Sequence, residues 1–154
     1  MTNNNMEGVI IKKLDKFEDS RGWLSEIWRS DENDFFPEMA YVSVTKPGMI
    51  RGPHEHKFQS DCFVFSGPGN FELHLWDNRE NSQTFKEALK IEVGENNPAF
   101  VIVPPGVVHG YKNISEKDSF CINLPNKLYA GVKKKEEVDE IRWEKDPESP
   151  FKIL

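Results

Sequence analysis

The chain has 154 residues, with 20 Lys and Arg against 26 Asp and Glu, for a formal net charge of −6. That balance excludes a nucleic-acid binder driven by overall electrostatics, because phosphate affinity needs a basic footprint; a local basic pocket for a small anion stays open. The length is that of one ordinary domain, 1–154. No stretch is apolar over the roughly 20 residues a membrane span needs, and the polar start Thr2-Asn3-Asn4-Asn5 is unlike a signal peptide. A cytoplasmic protein without a membrane partner is the expectation.

Taken in order, Gly8 to Ile11 reads as a first strand, Asp19-Ser20-Arg21-Gly22 as a turn, and Trp23 to Trp28 as a second strand. Asn33 to Pro37 is a loop. Met39 to Thr45 alternates, placing Met39, Tyr41, Ser43 and Thr45 on one face. Pro47-Gly48 primes a turn into Arg51-Gly52-Pro53-His54-Glu55-His56-Lys57, and Pro53 confines that stretch to a strand start or edge. Cys62 to Phe65 is a short apolar run typical of a buried strand, stopped by Ser66-Gly67-Pro68-Gly69. Phe71 to Asp77 alternates cleanly, with Phe71, Leu73 and Leu75 on one face and Glu72, His74 and Trp76 on the other.

Asp77 to Gln83 is a polar connection, and Thr84 to Val93 resumes an extended pattern. Ala99 to Val103 is a strand ending in the Pro104-Pro105-Gly106 turn, in which His109 is placed. Tyr111 to Leu124 adds a strand or two, broken at Ser115-Glu116-Lys117-Asp118. Only Lys133 to Ile141 reads as helical, and its Lys133-Lys134-Lys135-Glu136-Glu137 run as a solvated face. Cys62 and Cys121 lie inside apolar runs and read as buried thiols. Many short strands with Gly and Pro turns predict an all-β jelly-roll barrel or sandwich with a short C-terminal helical segment.

The chemistry concentrates in the histidines. Residues one apart cannot share a helix face, but on a strand i and i+2 point the same way, so His54 and His56 come together at a strand mouth. His109, after another apolar strand, is expected at the same end of the barrel. His74 reads as a strand residue on the more exposed face.

Two segments resemble the cupin jelly-roll pattern. Gly48, His54-x-His56 and Asp61 match its first motif, with Asp where Glu is usual, and Pro104-x-Gly106-x-x-His109-x-x-x-Asn113 matches its second. Within that superfamily the chain resembles the dTDP-4-dehydrorhamnose 3,5-epimerase family. The resemblance rests on Asp19 to Glu26, Arg51-Gly52-Pro53-His54, Asp77 to Phe85, Pro104-Pro105-Gly106 with His109-Gly110, and Trp143 with Asp146-Pro147. It implies a metal-free and cofactor-free enzyme that moves a proton beside the keto group of a nucleotide-linked 4-keto-6-deoxy sugar, dTDP-linked in the family. His54 matches the base, Asp146 the carboxylate that orients it, and Arg51 an arginine that binds the nucleotide sugar. His56, His109 and Tyr129 join the binding positions. Arg21 and Glu26 match residues that a partner subunit lends, which implies a homodimer.

The sequence also departs from that pattern. The lysine that would steady an enolate falls at Ser60, and the tyrosine that would protonate the opposite face falls at Asn123. The usual glutamine and asparagine before the Arg-Gly turn are Met39 and Tyr41. The His-x-His-Lys run resembles the nucleotide-sugar 3,4-ketoisomerases instead. Two further readings therefore stand beside the epimerase or isomerase: a sugar-nucleotide-binding cupin without catalysis, and a metal-dependent cupin enzyme using His54, His56, Asp61 and His109.

Overall fold

The computed structural model describes residues 6–154, and the described residues form twelve strands and two short 3₁₀ turns with no α-helix. The strands are β1 (Ile10–Lys13), β2 (Phe17–Asp19), β3 (Gly22–Leu24), β4 (Tyr41–Thr45), β5 (Ile50–Glu55) and β6 (Asp61–Phe65). They continue as β7 (Asn70–Asp77), β8 (Ala88–Gly94), β9 (Ala99–Val103), β10 (Val107–Asn113), β11 (Ser119–Asn123) and β12 (Ile141–Arg142). One antiparallel sheet has the order β1-β9-β6-β11-β4 and a second the order β12-β5-β10-β7-β8, while β2 and β3 form a separate hairpin. This is the expected all-β jelly roll.

The core lies between the two sheets. Phe63, Phe65, Val101 and Val103 from the first meet Phe71, Leu73, Leu75, Val107 and Tyr111 from the second. The alternation of β7 is realised residue by residue, with Phe71, Leu73 and Leu75 fully buried and their neighbours half-buried. Each such side chain is worth about 1.5–3 kcal/mol on burial. The first sheet's outer face is covered by Ile27, Trp28 and Phe35, packed on Cys62, Val64, Phe100 and Ile102. Both cysteines are free and buried. The C-terminal segment covers the second sheet's outer face, where the Phe151 ring contacts Trp76 and Trp143.

Several expectations are corrected. Lys133 to Ile141 is not helical: only Val132–Lys134 makes a 3₁₀ turn, and Ala130, Lys133 and Lys134 have positive φ. The run lacks an apolar face to bury, and its far end pairs with β5, so it is drawn out as a strap. β1 starts at Ile10 rather than Gly8, and the second strand ends at Leu24 rather than Trp28. Thr84 to Glu87 closes a turn through Glu87 N–H donating to Thr84 O (2.9 Å), so β8 starts at Ala88. His109 stands inside β10, because Pro104-Pro105-Gly106 completes its turn before Val107.

Candidate active site

β5 and β10 are antiparallel neighbours whose register sets His109 directly opposite His54, so both imidazoles project from the same face of the second sheet. Their ring centroids are 4.5 Å apart, and His56 lies 5.6 Å from His54 and 5.8 Å from His109. The strands approach closely enough that a Cβ on Gly52, at φ 80°, would sit 2.7 Å from the His109 carbonyl oxygen. Phe63 packs against His109 from the opposite sheet at 5.3 Å. The three histidines predicted to converge on one end of the barrel do so.

Asp61, at the start of β6 in the facing sheet, completes the cluster. Its Oδ1 accepts from Gln59 Nε2 and Asn123 Nδ2, both at 2.9 Å. Its Oδ2 faces His56 Nε2 at 3.1 Å and His109 Nε2 at 3.2 Å. Those approaches are within ion-pair distance but not aligned as hydrogen bonds, leaving Asp61 Oδ2 and His109 Nε2 buried without an aligned partner. Burial alone would raise the Asp61 carboxyl; the two imidazoles outweigh it and hold the group well below the usual carboxylate range. Burial likewise opposes a charged His56, yet Asp61 and the Asp139 carbonyl raise it overall.

The other imidazole nitrogens are fixed by the backbone. His109 Nδ1 donates to Val107 O at 2.9 Å, and His56 Nδ1 lies against the Asp139 carbonyl oxygen. With each Nδ1 held by a carbonyl, it is Nε2 that faces Asp61 Oδ2 on both rings, as a donor to the carboxylate when it carries a proton and as a ligand atom when it does not. With His54, four donor atoms then lie within 4.8 Å of one another. Donor separations of about 3 to 3.6 Å are what bonds of about 2.0–2.2 Å to a divalent transition ion require; Asp61 Oδ2 meets that toward His56 (3.1 Å) and His109 (3.2 Å), and the wider spread of the full set would have to contract around an ion. Bound there, it would polarise a keto oxygen.

His54 is the imidazole left with a free side. Burial, then the neighbouring His109 and His56, pushes it down to about 2, so it is neutral at physiological pH. Its Nε2 lies 3.8 Å from Glu140 Oε1, a half-buried carboxylate that also accepts from Arg142 Nε at 2.7 Å. Asp146, matched from the resemblance to the orienting carboxylate, is not brought to His54. It is exposed after the Trp143–Lys145 turn and accepts from Glu148 N–H at 2.9 Å. Glu140 arrives because Asp139 staples the strap down: Lys57, Phe58 and Gln59 N–H all donate to its carboxylate at 2.8–2.9 Å.

An open cavity of about 1190 Å³ lies before the histidines. Arg51 is in its wall, braced by Nε donating to Thr45 Oγ1 (3.0 Å) and Nη2 donating to Val44 O (2.7 Å). Tyr129 and Tyr41 also line it. Burial holds the Tyr41 hydroxyl up at about 12, so it is protonated at neutral pH. Ser60 contributes its backbone N–H to Asn126 Oδ1 (2.8 Å). Arg21 and Glu26 do not line the cavity of their own subunit. Arg21 is exposed beside Asp19, and Glu26 accepts from Arg29 at 3.1 Å. The Asp77 to Phe85 segment is structural: Asp77 accepts from Arg79, Ser82 and Thr84 away from the cavity. His74 is half-buried and paired with Glu72 at 2.7 Å. Asp139 and Glu140 were missed because their partners lie about 80 residues away.

A sequence model of the dTDP-4-dehydrorhamnose 3,5-epimerase family matches residues 3–150. Agl13 of Haloferax volcanii, described as a probable low-salt glycan biosynthesis epimerase, is 38% identical over 128 residues, 81% of each chain. The spore coat polysaccharide biosynthesis protein SpsL of Bacillus subtilis is 38% identical over 113 residues, 72% of this chain and 74% of its own. A dTDP sugar isomerase from Desulfovibrio desulfuricans shares the fold, with a TM-score of 0.84 at 20% identity over 96% of this chain and 91% of that one.

Proposed function

The chain belongs to the dTDP-4-dehydrorhamnose 3,5-epimerase family, and on that premise we propose that it epimerises or isomerises a nucleotide-linked 4-keto-6-deoxy sugar, dTDP-linked as in the family name. The observation that carries this reading is the placement of His54: an imidazole at the cavity wall with the Glu140 carboxylate 3.8 Å from its Nε2. Such a group can take the proton beside a keto group, and the carboxylate stabilises the imidazolium that results. Arg51 serves the diphosphate, its outer guanidinium nitrogen Nη1 left free by the braces on Nε and Nη2.

The test is solvent deuterium incorporation at individual sugar carbons, followed by NMR across a panel of nucleotide 4-keto sugars. His54→Ala and His54→Asn should lower incorporation about a hundred- to ten-thousand-fold while sparing nucleotide binding. Arg51→Ala should chiefly weaken affinity. A wild-type protein that binds the nucleotide sugar tightly and exchanges no carbon leaves the non-catalytic reading in place of this one.

We propose further that the protein works in the cytoplasm as a homodimer, with Arg21 and Glu26 reaching the partner's cavity. The exposed Phe17, Trp23 and Leu24 of the β2–β3 hairpin support this, since apolar and aromatic side chains of that kind suit an interface core. Monodisperse monomer in sedimentation at micromolar concentration would rule it out.

A second reading is favoured by the unaligned Asp61 Oδ2 and His109 Nε2: the four-donor cluster holds a divalent ion, and His54 is a ligand rather than a base. A metallated nitrogen cannot also accept a proton. Near-equimolar iron, manganese or zinc in protein purified without added metal, with activity lost to chelators, establishes that reading; metal-free protein with full activity removes it.

A further inference from the structure

The polar atoms around Asn123 fix the direction of one hydroxyl. Asn123 is buried at the end of β11, where its Oδ1 accepts from Cys62 N–H at 3.2 Å. That contact settles which end of the amide is which, so Nδ2 is the end that meets its other two neighbours. It donates to Asp61 Oδ1 and to Tyr41 Oη, both at 2.9 Å. The Tyr41 oxygen is therefore an acceptor in that bond, and its own proton must point elsewhere. Among the described residues no protein acceptor takes it, and Tyr41 lines the same cavity as His54.

The two side chains come from opposite walls. His54 is on β5 in the second sheet, and Tyr41 opens β4, the edge strand of the first, in direct cross-strand register with Asn123. A sugar ring held between the sheets would meet the imidazole on one side and the phenol on the other. The remaining cavity phenols are placed differently. The Tyr111 hydroxyl is engaged with Ser43 Oγ at 3.1 Å and its ring is enclosed by Phe63, Phe65 and Phe71. Tyr129 is on the rim, in the loop after β11.

We propose that Tyr41 is the general acid that delivers a proton to the sugar carbon on the face opposite His54, a catalytic role that rests on the epimerase reading above. In the first half-reaction the C–H bond beside the keto group breaks. Its proton goes to His54, and its electron pair moves to the keto oxygen as an enolate. In the second half-reaction the enolate collapses, the new C–H bond forms on the other face, and the Tyr41 O–H bond breaks. Solvent then reprotonates the phenolate and takes the abstracted proton from the His54 imidazolium, which restores both groups. Asn123 is a positioning residue, since it turns the phenol outward while holding Asp61.

The experiment separates exchange from inversion. A dTDP-linked 4-keto-6-deoxy sugar is incubated in D2O with wild type, Tyr41→Phe, Tyr129→Phe and His54→Ala, and NMR reads deuterium content and configuration at each carbon. Tyr41→Phe should keep deuterium incorporation within about tenfold of wild type while inversion falls about a hundred- to ten-thousand-fold. His54→Ala should lose both, and Tyr129→Phe should lose neither. An unchanged thermal midpoint for Tyr41→Phe would show that the loss is not one of folding. Inversion at the wild-type rate in Tyr41→Phe overturns the proposal, as does the same split appearing in Tyr129→Phe instead. Wild-type isomerisation without any change of configuration also overturns it, while sparing the parent reading. Absence of exchange in the wild type across the panel overturns both.

Discussion

Replacing Asp139 by Ala tests whether the strap is held by one carboxylate. That side chain accepts three backbone N–H groups, from Lys57 at 2.9 Å, Phe58 at 2.8 Å and Gln59 at 2.9 Å. Lys57 and Phe58 are exposed, so water replaces the lost acceptor there, whereas Gln59 is half-buried. Taking about 0.5–1 kcal/mol for each exposed amide and about 1.5–2 kcal/mol for the third gives a loss of about 2.5–4 kcal/mol. Burial opposes ionisation of Asp139, but the three amides outweigh it and hold the carboxyl below its usual value. A folded-state value lowered in this way stabilises above the unfolded carboxylate pKa of about 3.9, and the stabilisation is lost as pH falls through the folded value. The gap between wild type and Asp139→Ala should thus be full at pH 7 and narrow below about pH 4. Urea unfolding gives the size of the loss, and hydrogen exchange at the amides of 57–59 gives its location. Deuterium incorporation into substrate should fall too, because the same strap carries Glu140 to His54 and the Asp139 carbonyl to His56. A midpoint within about 0.5 kcal/mol of wild type, together with unchanged amide protection at 57–59, would refute the reasoning.

Two other outcomes follow from geometry already described. Gly52→Ala should destabilise by more than about 2 kcal/mol in thermal melts, since its φ of 80° disfavours a side chain and the Cβ would meet the His109 carbonyl oxygen at 2.7 Å. Asp77 is buried, which opposes its ionisation, but Arg79, Ser82 and Thr84 hold it well below the usual carboxylate range. Its contribution is present above about pH 3.9 and is lost on acidification, so the stability difference between wild type and Asp77→Asn should shrink as pH falls below about 4 in a series of urea titrations.

The strands were legible where alternation or an apolar run faced a core, as in Phe71-Leu73-Leu75 and Cys62 to Phe65, because inward packing imposes period two on the residues themselves. The histidine cluster was legible for a related reason: His54-x-His56 encodes one face of a strand, and the apolar segments around it limit where that face can point. His109 was read into a turn because Pro104-Pro105-Gly106 is so strong a turn signal, yet the turn ends before Val107 and the strand takes over. The carboxylate beside His54 was not legible. Glu140 reaches it through a strap fixed by contacts some 80 residues distant in sequence, and no local pattern carries that information. The same holds for Asn123, whose role depends on neighbours drawn from β4 and β6.

The cross-strand placement of Tyr41 and Asn123 bears on where a proton donor can stand in this fold. In the pattern the sequence resembles, a tyrosine is expected where this chain has Asn123 and an asparagine where it has Tyr41. In space the two positions are direct partners, and the phenol and the amide are both still present, with their places exchanged. Two apparent substitutions amount to one exchange across a single rung of the sheet. On the proposal above, two phenols on that rung would double the proton donor and two amides would remove it, so the stereochemical outcome belongs to the pair rather than to either position alone, while the barrel stays unaltered.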